Sequence, residues 1–303
     1  MTQNKVALVL SSGGARGYAH IGAIEVLEAR GYHITSVAGT SMGALVGGMY
    51  CAGKLNEVCN WLYKLERRDV LALVDWSLGM NHLVKGEKIM EKLREIVPDV
   101  RIEDLPIPFR AVASDLETQR EVVFSKRSLY RALRASISIP SLFKPVRIGR
   151  HVLVDGGIAN PLPLNRVTRQ PGDLLVSVNV SAPASERVEQ LRQQARIQRH
   201  PRLLSLDNLI KPLTPDGVDS NYLTLLTAAV TMLIQRNTVL SQKITPPDIA
   251  VNIPMNRFSV FDFDHAERIV RAGREAMEQA LNQWEARTTP ANANPVPTAT
   301  TLS

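Results

Sequence analysis

The feature that most constrains this fold is a pair of short apolar runs, each followed by a glycine-bearing loop and a helical segment. The first run, Lys5 to Leu10, is continuously apolar after its lysine, which is typical of a strand buried on both faces. The second run, Ile34 to Ala38, precedes a helix predicted over residues 41–52. Because this strand–loop–helix order repeats, the sequence predicts an α/β fold in which helices cover both faces of a parallel-rich sheet.

The rest of the chain adds further elements to this pattern. Two strands joined by a tight turn are predicted in "FRAVASDLE" and "REVVFS", and others in "HVLVDGG", "DLLVSVNV" and "IAVNIP". Helices are predicted in "LNEVCNWLYKLERRDVL", "KGEKIMEKLREIV", "SLYRALRAS" and the closing "DHAERIVRAGREAMEQALNQW", with Asp262 or Asp264 as the last cap. We expect one domain over residues 1–287 and a disordered tail over 288–303.

Composition excludes several classes of protein. Cys51 and Cys59 are eight residues apart on helical sequence, and about 12 Å of helix is too long for a disulfide. We therefore expect reduced cysteines and a cytoplasmic protein. There is no cluster of cysteine and histidine with zinc-ligand spacing, and no apolar segment long enough for a signal peptide or a membrane span. The net charge is +7, but aromatic residues make up only 5%, which argues against nucleic-acid binding.

Residues 182–247 differ in character from the rest and are expected to be helical. Arg192, Arg196 and Arg199 are spaced to share one helical face. This face is either solvated or meets the anionic head groups of a membrane. The apolar segment "YLTLLTAAVTMLI" is either a core helix or an apolar face of a lid or membrane-docking element.

The pentapeptide "GTSMG", Gly39 to Gly43, follows the second predicted strand. G-x-S-x-G between a strand and a helix is the pattern of a nucleophile elbow, in which a strained turn exposes the serine. Ser41 would then lie over the first amides of the following helix, which can stabilise a negative oxygen. The alternative is a plain glycine-rich turn.

The loop "SSGGARG" lies between the first strand and the first helix. A dinucleotide loop would need glycine in place of Ser12 and an acid after the second strand, and both are missing. The other interpretation is an oxyanion hole, in which consecutive glycines expose their amides beside Ser41. Arg16 either fixes this loop, attracts an anionic substrate or lies at the surface.

The proton acceptor for Ser41 could be a histidine or an aspartate. The histidines are His20, His33, His82, His151, His200 and His265. Only His265 lies late enough for a conventional triad, yet it falls at the start of the last helix, and His20 is better suited to bracing the glycine loop. Asp115 and Asp155 end strands, and Asp155 is followed by Gly156 and Gly157, which let another backbone approach its carboxylate.

The chain resembles the patatin-like phospholipases in three motifs that occur in order along the sequence, "SSGGARG", "GTSMG" and "DGGIANP". The stretch "RASISIPSLFKPV", between the last two motifs, also resembles that family. The likeness covers Lys5 to Val167 and is greatest to the bacterial branch similar to neuropathy target esterase. It implies a three-layer fold and a Ser-Asp dyad without histidine. Ser41 matches the nucleophile and Asp155 the proton acceptor. The residues that match the oxyanion loop are Gly13, Gly14, Ala15 and Arg16. Asp115 matches an aspartate of the fold, and Ser12 stands where the family usually has glycine.

The resemblance implies a hydrolase that cleaves acyl esters of lipids, of the lysophospholipid or phospholipid class, with no metal and no cofactor. As a partner besides the substrate, we expect an anionic membrane, which the protein would contact peripherally at the inner membrane face. Two alternatives stay open: an esterase whose triad uses His265, and a non-catalytic regulator on the same fold that binds lipid or protein.

Overall fold

The computed structural model describes residues 4–64, 87–140, 143–187, 190 and 222–288. Its strands are β1 (Asn4–Leu10), β2 (Tyr32–Thr40), β3 (Phe109–Asp115), β4 (Arg120–Phe124), β5 (Val146–Ile148), β6 (His151–Asp155), β7 (Leu174–Ala182) and β8 (Ile249–Pro254). Its α-helices are α1 (Ala19–Ala29), α2 (Met42–Cys51), α3 (Leu55–Leu62), α4 (Glu87–Ile96), α5 (Leu129–Ser136), α6 (Tyr222–Ile244) and α7 (Ala266–Thr288).

The strands form one sheet in the order β5-β6-β3-β2-β1-β7-β8, and β4 also pairs with β3. The five strands β3, β2, β1, β7 and β8 run parallel to one another. The antiparallel pairs are β4 with β3, β6 with β3, and β5 with β6. The prediction of a parallel-rich α/β sheet is therefore confirmed.

Strands β2 and β6 meet end to end along one edge of β3. On one side, β4 pairs with β3 from Ala111 to Asp115. Within that stretch, Val112 also pairs with Thr40, the last residue of β2, and Ala113 also pairs with Asp155, the last residue of β6. Since a strand has only two edges, β2 and β6 share the edge opposite β4. The two strands run towards each other, so the residues that follow β2 face the end of β6.

Both faces of the sheet are covered. Val6, Leu8 and Leu10 of β1 belong to the main core with residues of α1, α2 and α7. Because side chains alternate along a strand, Ala7 and Val9 face the other way, into a smaller core with Leu162 and its neighbours. Helix α6 packs on this second side, against β7. Helices on both faces, as the sequence predicts, are thus observed.

Two details differ from the sequence-based expectation. The cysteines do not share one helix: Cys51 ends α2 and Cys59 lies in α3, after a turn at Gly53, whose φ of 67° ends the helix. Both are free and buried, as expected. The three-residue strand β5 was not predicted, because three residues are too few to show a periodic pattern.

Some predictions concern residues outside the described ranges. They include the arginine face at residues 192–199, the end of the helix predicted from Leu55, and nearly all of the tail. Within residues 182–247, the segment "YLTLLTAAVTMLI" begins helix α6. None of the helices among the described residues is both long enough and apolar enough to cross a bilayer.

Candidate active site

Ser41 lies on a strained turn between β2 and α2. Its φ of 55° and ψ of −123° fall in a region that residues with a side chain rarely adopt, at a cost of about 1–3 kcal/mol. The neighbouring glycines allow the turn: a Cβ on Gly39 would lie 2.4 Å from the carbonyl oxygen of Gly43. A Cβ on Gly43 would lie 2.4 Å from the carbonyl oxygen of Leu10. A strained turn of this kind is the backbone geometry that a nucleophile elbow requires.

The hydroxyl of Ser41 donates to Oδ2 of Asp155 at 2.5 Å. The other carboxylate oxygen, Oδ1, accepts the amide of Gly157 at 2.7 Å. Only 3% of Ser41 and 5% of Asp155 is exposed, so this pair is shielded from bulk water. Burial raises the pKa of Asp155 to about 6, although the hydrogen bonds from Ser41 and Gly157 lower it. The carboxylate is therefore a stronger base than a free aspartate and is still largely ionised near pH 7.

The two glycines after Asp155 leave no room for a side chain. A Cβ on Gly156 would lie 2.2 Å from the carbonyl oxygen of Val112, and one on Gly157 would lie 2.9 Å from Oδ1 of Asp155. The end of β6 can therefore approach β3 closely enough to place the carboxylate beside Ser41. The sequence argument for close approach at this motif agrees with these distances.

Ser136, at the end of α5, holds the elbow and was not predicted as a site residue. Its hydroxyl accepts the amide of Ser41 at 2.8 Å and donates to the carbonyl oxygen of Val112 at 2.6 Å. The amide of Ser41 is thus engaged and cannot serve a substrate. No local pattern marks Ser136, because a serine at the end of a helix is common and its partners are distant in sequence.

The glycine loop offers two free amides. Among the described residues, no acceptor bonds the backbone N–H of Gly13 or Gly14. Gly14 has a φ of 57°, and a Cβ there would lie 2.6 Å from the carbonyl oxygen of Val260. The amide of Ala15 donates to that same Val260 oxygen at 3.0 Å. This corrects the expectation for Ala15, which anchors the loop instead of offering a donor.

Arg16 braces the loop from inside the protein. Its guanidinium donates to the carbonyl oxygens of Gly13 and Met255 and to the hydroxyl of Ser181, at 3.0–3.3 Å. Arg16 is 5% exposed, which rules out the surface interpretation. Burial lowers its pKa to about 10, so the guanidinium stays charged at neutral pH.

His20 holds the start of the same loop, as the sequence suggested. Its Nε2 lies 2.9 Å from the carbonyl oxygen of Ser11. Since a carbonyl only accepts, Nε2 carries the proton. Burial lowers the pKa of His20 to about 4, and the ring is therefore neutral.

The three sequence motifs come together in space. A Cβ on Gly17 would lie 2.2 Å from Cγ of Met42, and one on Gly43 would lie 2.6 Å from the carbonyl oxygen of Ser11. A Cβ on Gly157 would lie 3.1 Å from Oγ of Ser12. The glycine loop therefore touches both the elbow and the Asp-Gly motif.

His265 is not brought to Ser41. Its Nδ1 pairs with Asp264 at 2.9 Å, and half of its side chain is exposed. The structure thus does not form the alternative triad. Asp262 takes the N-cap position of the short 3-10 helix Phe263–His265, which leads into α7, but its side chain makes no capping hydrogen bond and accepts the amide of Ser259 instead.

Asp115 has a structural environment of its own. Its carboxylate accepts hydrogen bonds from His151, Thr118 and the amides of Glu117 and Val152. These bonds, the one from His151 foremost, hold the pKa of the Asp115 carboxyl far below its usual range. Such a fixed anion suits the turn between β3 and β4, in line with a role in the fold.

Within the described part of the chain, no three histidine, cysteine or acidic side chains are grouped as a metal site.

Comparison with known proteins identifies the family. The profile of the patatin-like phospholipases matches residues 8–167, more than half of the chain. The chain therefore belongs to the patatin-like phospholipase family. All three motifs fall within or at the edge of the matched region.

Two sequence relatives agree with this assignment. The chain is 46% identical over 177 residues to an uncharacterized NTE family protein of Mycobacterium bovis, an alignment covering 58% of this chain and 49% of the relative. It is 32% identical over 170 residues to the neuropathy target esterase sws of Drosophila persimilis, covering 54% of this chain and 12% of that protein. The chain spans about half the length of the mycobacterial relatives it matches. Among solved structures, VipD from Legionella pneumophila aligns over 93% of this chain and 67% of its own, with a TM-score of 0.49 and 16% identity.

Proposed function

We propose that this protein is a serine hydrolase that cleaves carboxylic acyl esters of lipids, of the lysophospholipid or phospholipid class. The observation that carries the proposal is the 2.5 Å hydrogen bond from the buried hydroxyl of Ser41 to Asp155. A strained serine beside a desolvated carboxylate is the arrangement that nucleophilic catalysis needs.

In acylation, Asp155 removes the proton of Ser41 as Oγ attacks the carbonyl carbon of the ester. The oxyanion that develops would receive hydrogen bonds from the amides of Gly13 and Gly14, whose N–H groups are otherwise unused within the described residues. Each such donor, fixed before the reaction, contributes about 3 kcal/mol of transition-state stabilisation. Asp155 then passes its proton to the leaving alcohol.

In deacylation, Asp155 accepts a proton from water as the water oxygen attacks the acyl carbon. When the new tetrahedral intermediate collapses, the bond between Oγ of Ser41 and the acyl carbon breaks. The proton returns from Asp155 to Ser41, and the fatty acid leaves. A raised pKa suits Asp155 for both directions of transfer, because a base near pKa 6 exchanges protons readily at neutral pH.

A fluorophosphonate probe and a panel of lipid esters test this mechanism together. Ser41→Ala and Asp155→Asn should each lose labelling and hydrolysis by about a thousandfold or more. Ser177→Ala is a matched control, because Ser177 is also a fully buried serine but lies within β7. It should keep both activities.

The same assay separates the two alternatives. His265→Ala should label normally if the dyad is correct, whereas loss in that variant with retention in Asp155→Asn would favour the triad. If the wild-type protein labels at Ser41 but releases no fatty acid from any lysolipid or short p-nitrophenyl ester, the regulator on this fold is favoured.

The second part of the proposal is that helix α6 docks on a lipid surface. Helix α6 exposes four large apolar side chains, Met232, Leu233, Leu240 and Ile244, with exposed fractions of 52–79%. Their spacing places them along one face of the helix. Arg236 and Lys243 are exposed on the same stretch. By the same spacing the two cations fall among the apolar side chains, so this face forms a stripe that is both apolar and basic. Such a face suits an anionic phospholipid surface, and this favours a docking face over the core-helix interpretation.

Vesicle flotation with and without anionic lipid tests the surface. Leu240→Glu should reduce binding to anionic vesicles severalfold, because it places a charge in the stripe. Leu116→Glu is the control, since Leu116 is equally exposed, at 52%, but lies in the turn after β3. Equal loss in both variants, or binding that neither anionic lipid nor salt changes, would rule out the stripe as the docking face.

A further inference from the structure

Helix α6 is hydrogen-bonded to the loop that follows the proposed base. The side-chain amide of Asn237 donates through Nδ2 to the carbonyl oxygen of Ile158 at 3.2 Å. A carbonyl only accepts, so the NH2 group of Asn237 must face it. Ile158 lies three residues after Asp155, and no other donor among the described residues reaches its carbonyl oxygen. This bond therefore joins α6 to a segment 79 residues away in sequence, next to the dyad.

The loop over residues 155–160 folds back on the main chain of Asp155. The carbonyl oxygen of Asp155 accepts the amide of Ile158 at 3.4 Å and the hydroxyl of Ser114 at 2.9 Å. The same Ser114 hydroxyl accepts the amide of Ala159 at 3.1 Å. Because these bonds connect Ile158 and its neighbour to the backbone of Asp155, a force on Ile158 acts on the position of the base.

The far end of this loop is bonded to the elbow. The hydroxyl of Thr40, the residue before Ser41, donates to the carbonyl oxygen of Asn160 at 2.8 Å. Thr40 is fully buried. The loop is thus fixed at Asp155 and at Asn160, and Ile158 lies between these two points. The bond from α6 is a third fixed point, placed at the middle of the loop.

This part of α6 is itself held on the protein. Nε2 of Gln235 lies 3.1 Å from Sδ of Met255, and the carbonyl oxygen of Met255 accepts the guanidinium of Arg16 at 3.0 Å. Thr238 is fully buried. Asn237 lies between Gln235 and Thr238 in sequence, so its amide is presented to the loop from a supported stretch of the helix.

We propose that Asn237 of α6 is a positioning residue for Asp155. Its bond to the carbonyl oxygen of Ile158 holds the loop, and the loop holds the carboxylate within hydrogen-bond distance of Ser41. This rests on the proposed function, because the position of Asp155 limits a rate only if Asp155 is the base. Helix α6 then serves the dyad as well as the docking face.

The first readout is the rate of reaction with a soluble ester. Asn237→Ala should lower kcat for p-nitrophenyl butyrate about tenfold, the size expected for one lost hydrogen bond. KM should change less than about threefold, because proton removal by Asp155 belongs to the transition state and not to substrate binding. Fluorophosphonate labelling of Ser41 should fall by the same factor as kcat, since it needs the same base.

The pH profile of labelling separates positioning from a general loss of structure. Burial raises the pKa of Asp155 to about 6. A looser loop admits water to the carboxylate and weakens this effect, so the midpoint of labelling in Asn237→Ala should move below the wild-type value of about 6. A variant that is only partly folded would label less at every pH, with its midpoint unchanged.

Two further variants complete the experiment on the whole chain. Asn237→Asp keeps the size of the side chain, but an ionised carboxylate cannot donate to a carbonyl oxygen. It should lose at least as much activity as Asn237→Ala, and it takes the same measurements if Asn237→Ala does not fold. Gln242→Ala is the matched control, because Gln242 also lies on α6 but donates to Asn252 of β8 at 3.1 Å. It should change neither the rates nor the midpoint.

The outcomes separate this inference from the function on which it rests. If Asn237→Asp keeps wild-type rates, the hydrogen bond is not needed and the inference is wrong. It is also overturned if the Asn237 variants label less with an unchanged midpoint, or if Gln242→Ala shows the same losses. In each of these cases the wild-type protein still labels at Ser41. If the wild-type protein neither labels nor hydrolyses any ester, the proposed function itself fails.

Discussion

Ser41 and Asp155 meet because β2 and β6 run towards each other along one edge of β3. Thr40, the last residue of β2, pairs with Val112, and Asp155, the last residue of β6, pairs with the next residue, Ala113. The hydroxyl and the carboxylate are then 2.5 Å apart. Because both strand ends are hydrogen-bonded to β3, the two side chains are held more rigidly than they would be on a flexible loop. This rigidity favours preorganised catalysis.

The first prediction concerns the pH dependence of the dyad. Burial raises the pKa of Asp155 to about 6, and the group acts as a base only when ionised. The second-order rate of fluorophosphonate labelling should therefore fall about tenfold per pH unit below 6 and reach a plateau above 7. Stopped-time labelling between pH 4.5 and 8.5 measures this profile.

A histidine would titrate in the same range, so His265→Gln is the matched control for this profile. It should leave the midpoint unchanged, because His265 pairs with Asp264 and not with Ser41 or Asp155. A midpoint that disappears in His265→Gln, or a flat profile in the wild-type protein, would contradict the assignment to Asp155.

The second prediction concerns stability. Since the pKa of Asp155 is higher in the folded protein than in the unfolded chain, ionisation of this buried group opposes folding. Its contribution is lost as pH rises from about 4 to about 6, and above that range the penalty approaches about 3 kcal/mol. Asp155→Asn should therefore be more stable than the wild type at pH 8, with the difference shrinking towards pH 4.

Urea unfolding at both pH values measures this difference. His20 titrates oppositely, because its lowered pKa makes the protein less stable as pH falls from about 6.5 towards 4. The comparison is therefore made between Asp155→Asn and wild type at each pH, where the effect of His20 cancels. A variant that is less stable than wild type at pH 8 would show that the hydrogen bonds of Asp155 outweigh its burial.

Much of this site could be predicted from the sequence because its signals are local. A serine between glycines at a strand–helix turn can be recognised in the sequence without knowledge of the fold. The same holds for an aspartate before two glycines. The contact between Ser41 and Asp155 is not local, since it depends on the shared edge of β3. The engaged amide of Ala15 could not be foreseen either, because its acceptor, Val260, lies far along the chain.

The third prediction tests the close approach of the elbow to β1. A Cβ on Gly43 would lie 2.4 Å from the carbonyl oxygen of Leu10, a main-chain atom that cannot move aside cheaply. Gly43→Ala should lower the free energy of unfolding by about 3 kcal/mol or more and abolish labelling of Ser41. Chemical denaturation and probe labelling measure the two effects.

Gly53→Ala is the matched control for Gly43→Ala. Gly53 follows the same helix, and a Cβ there would meet nothing within 4 Å. Its φ of 67° alone limits the cost to about 1 kcal/mol, and labelling should be retained. Similar losses in both variants would mean that the space around Gly43 is not the limiting feature.

The fourth prediction concerns Arg16, which joins the carbonyl oxygens of Gly13 and Met255 to the hydroxyl of Ser181. Arg16→Lys keeps the charge, but one ammonium group cannot span acceptors placed around a planar guanidinium. We expect kcat to fall about tenfold or more with KM changed less than about threefold, because the loop amides lose their alignment in the transition state. Stability should fall by about 2 kcal/mol. Arg30→Lys is the control, since Arg30 pairs with Glu278 and Glu285 at the surface, where solvent weakens ion pairs, and it should leave kcat unchanged. An Arg16→Lys variant with normal kcat would show that the loop is held without the guanidinium.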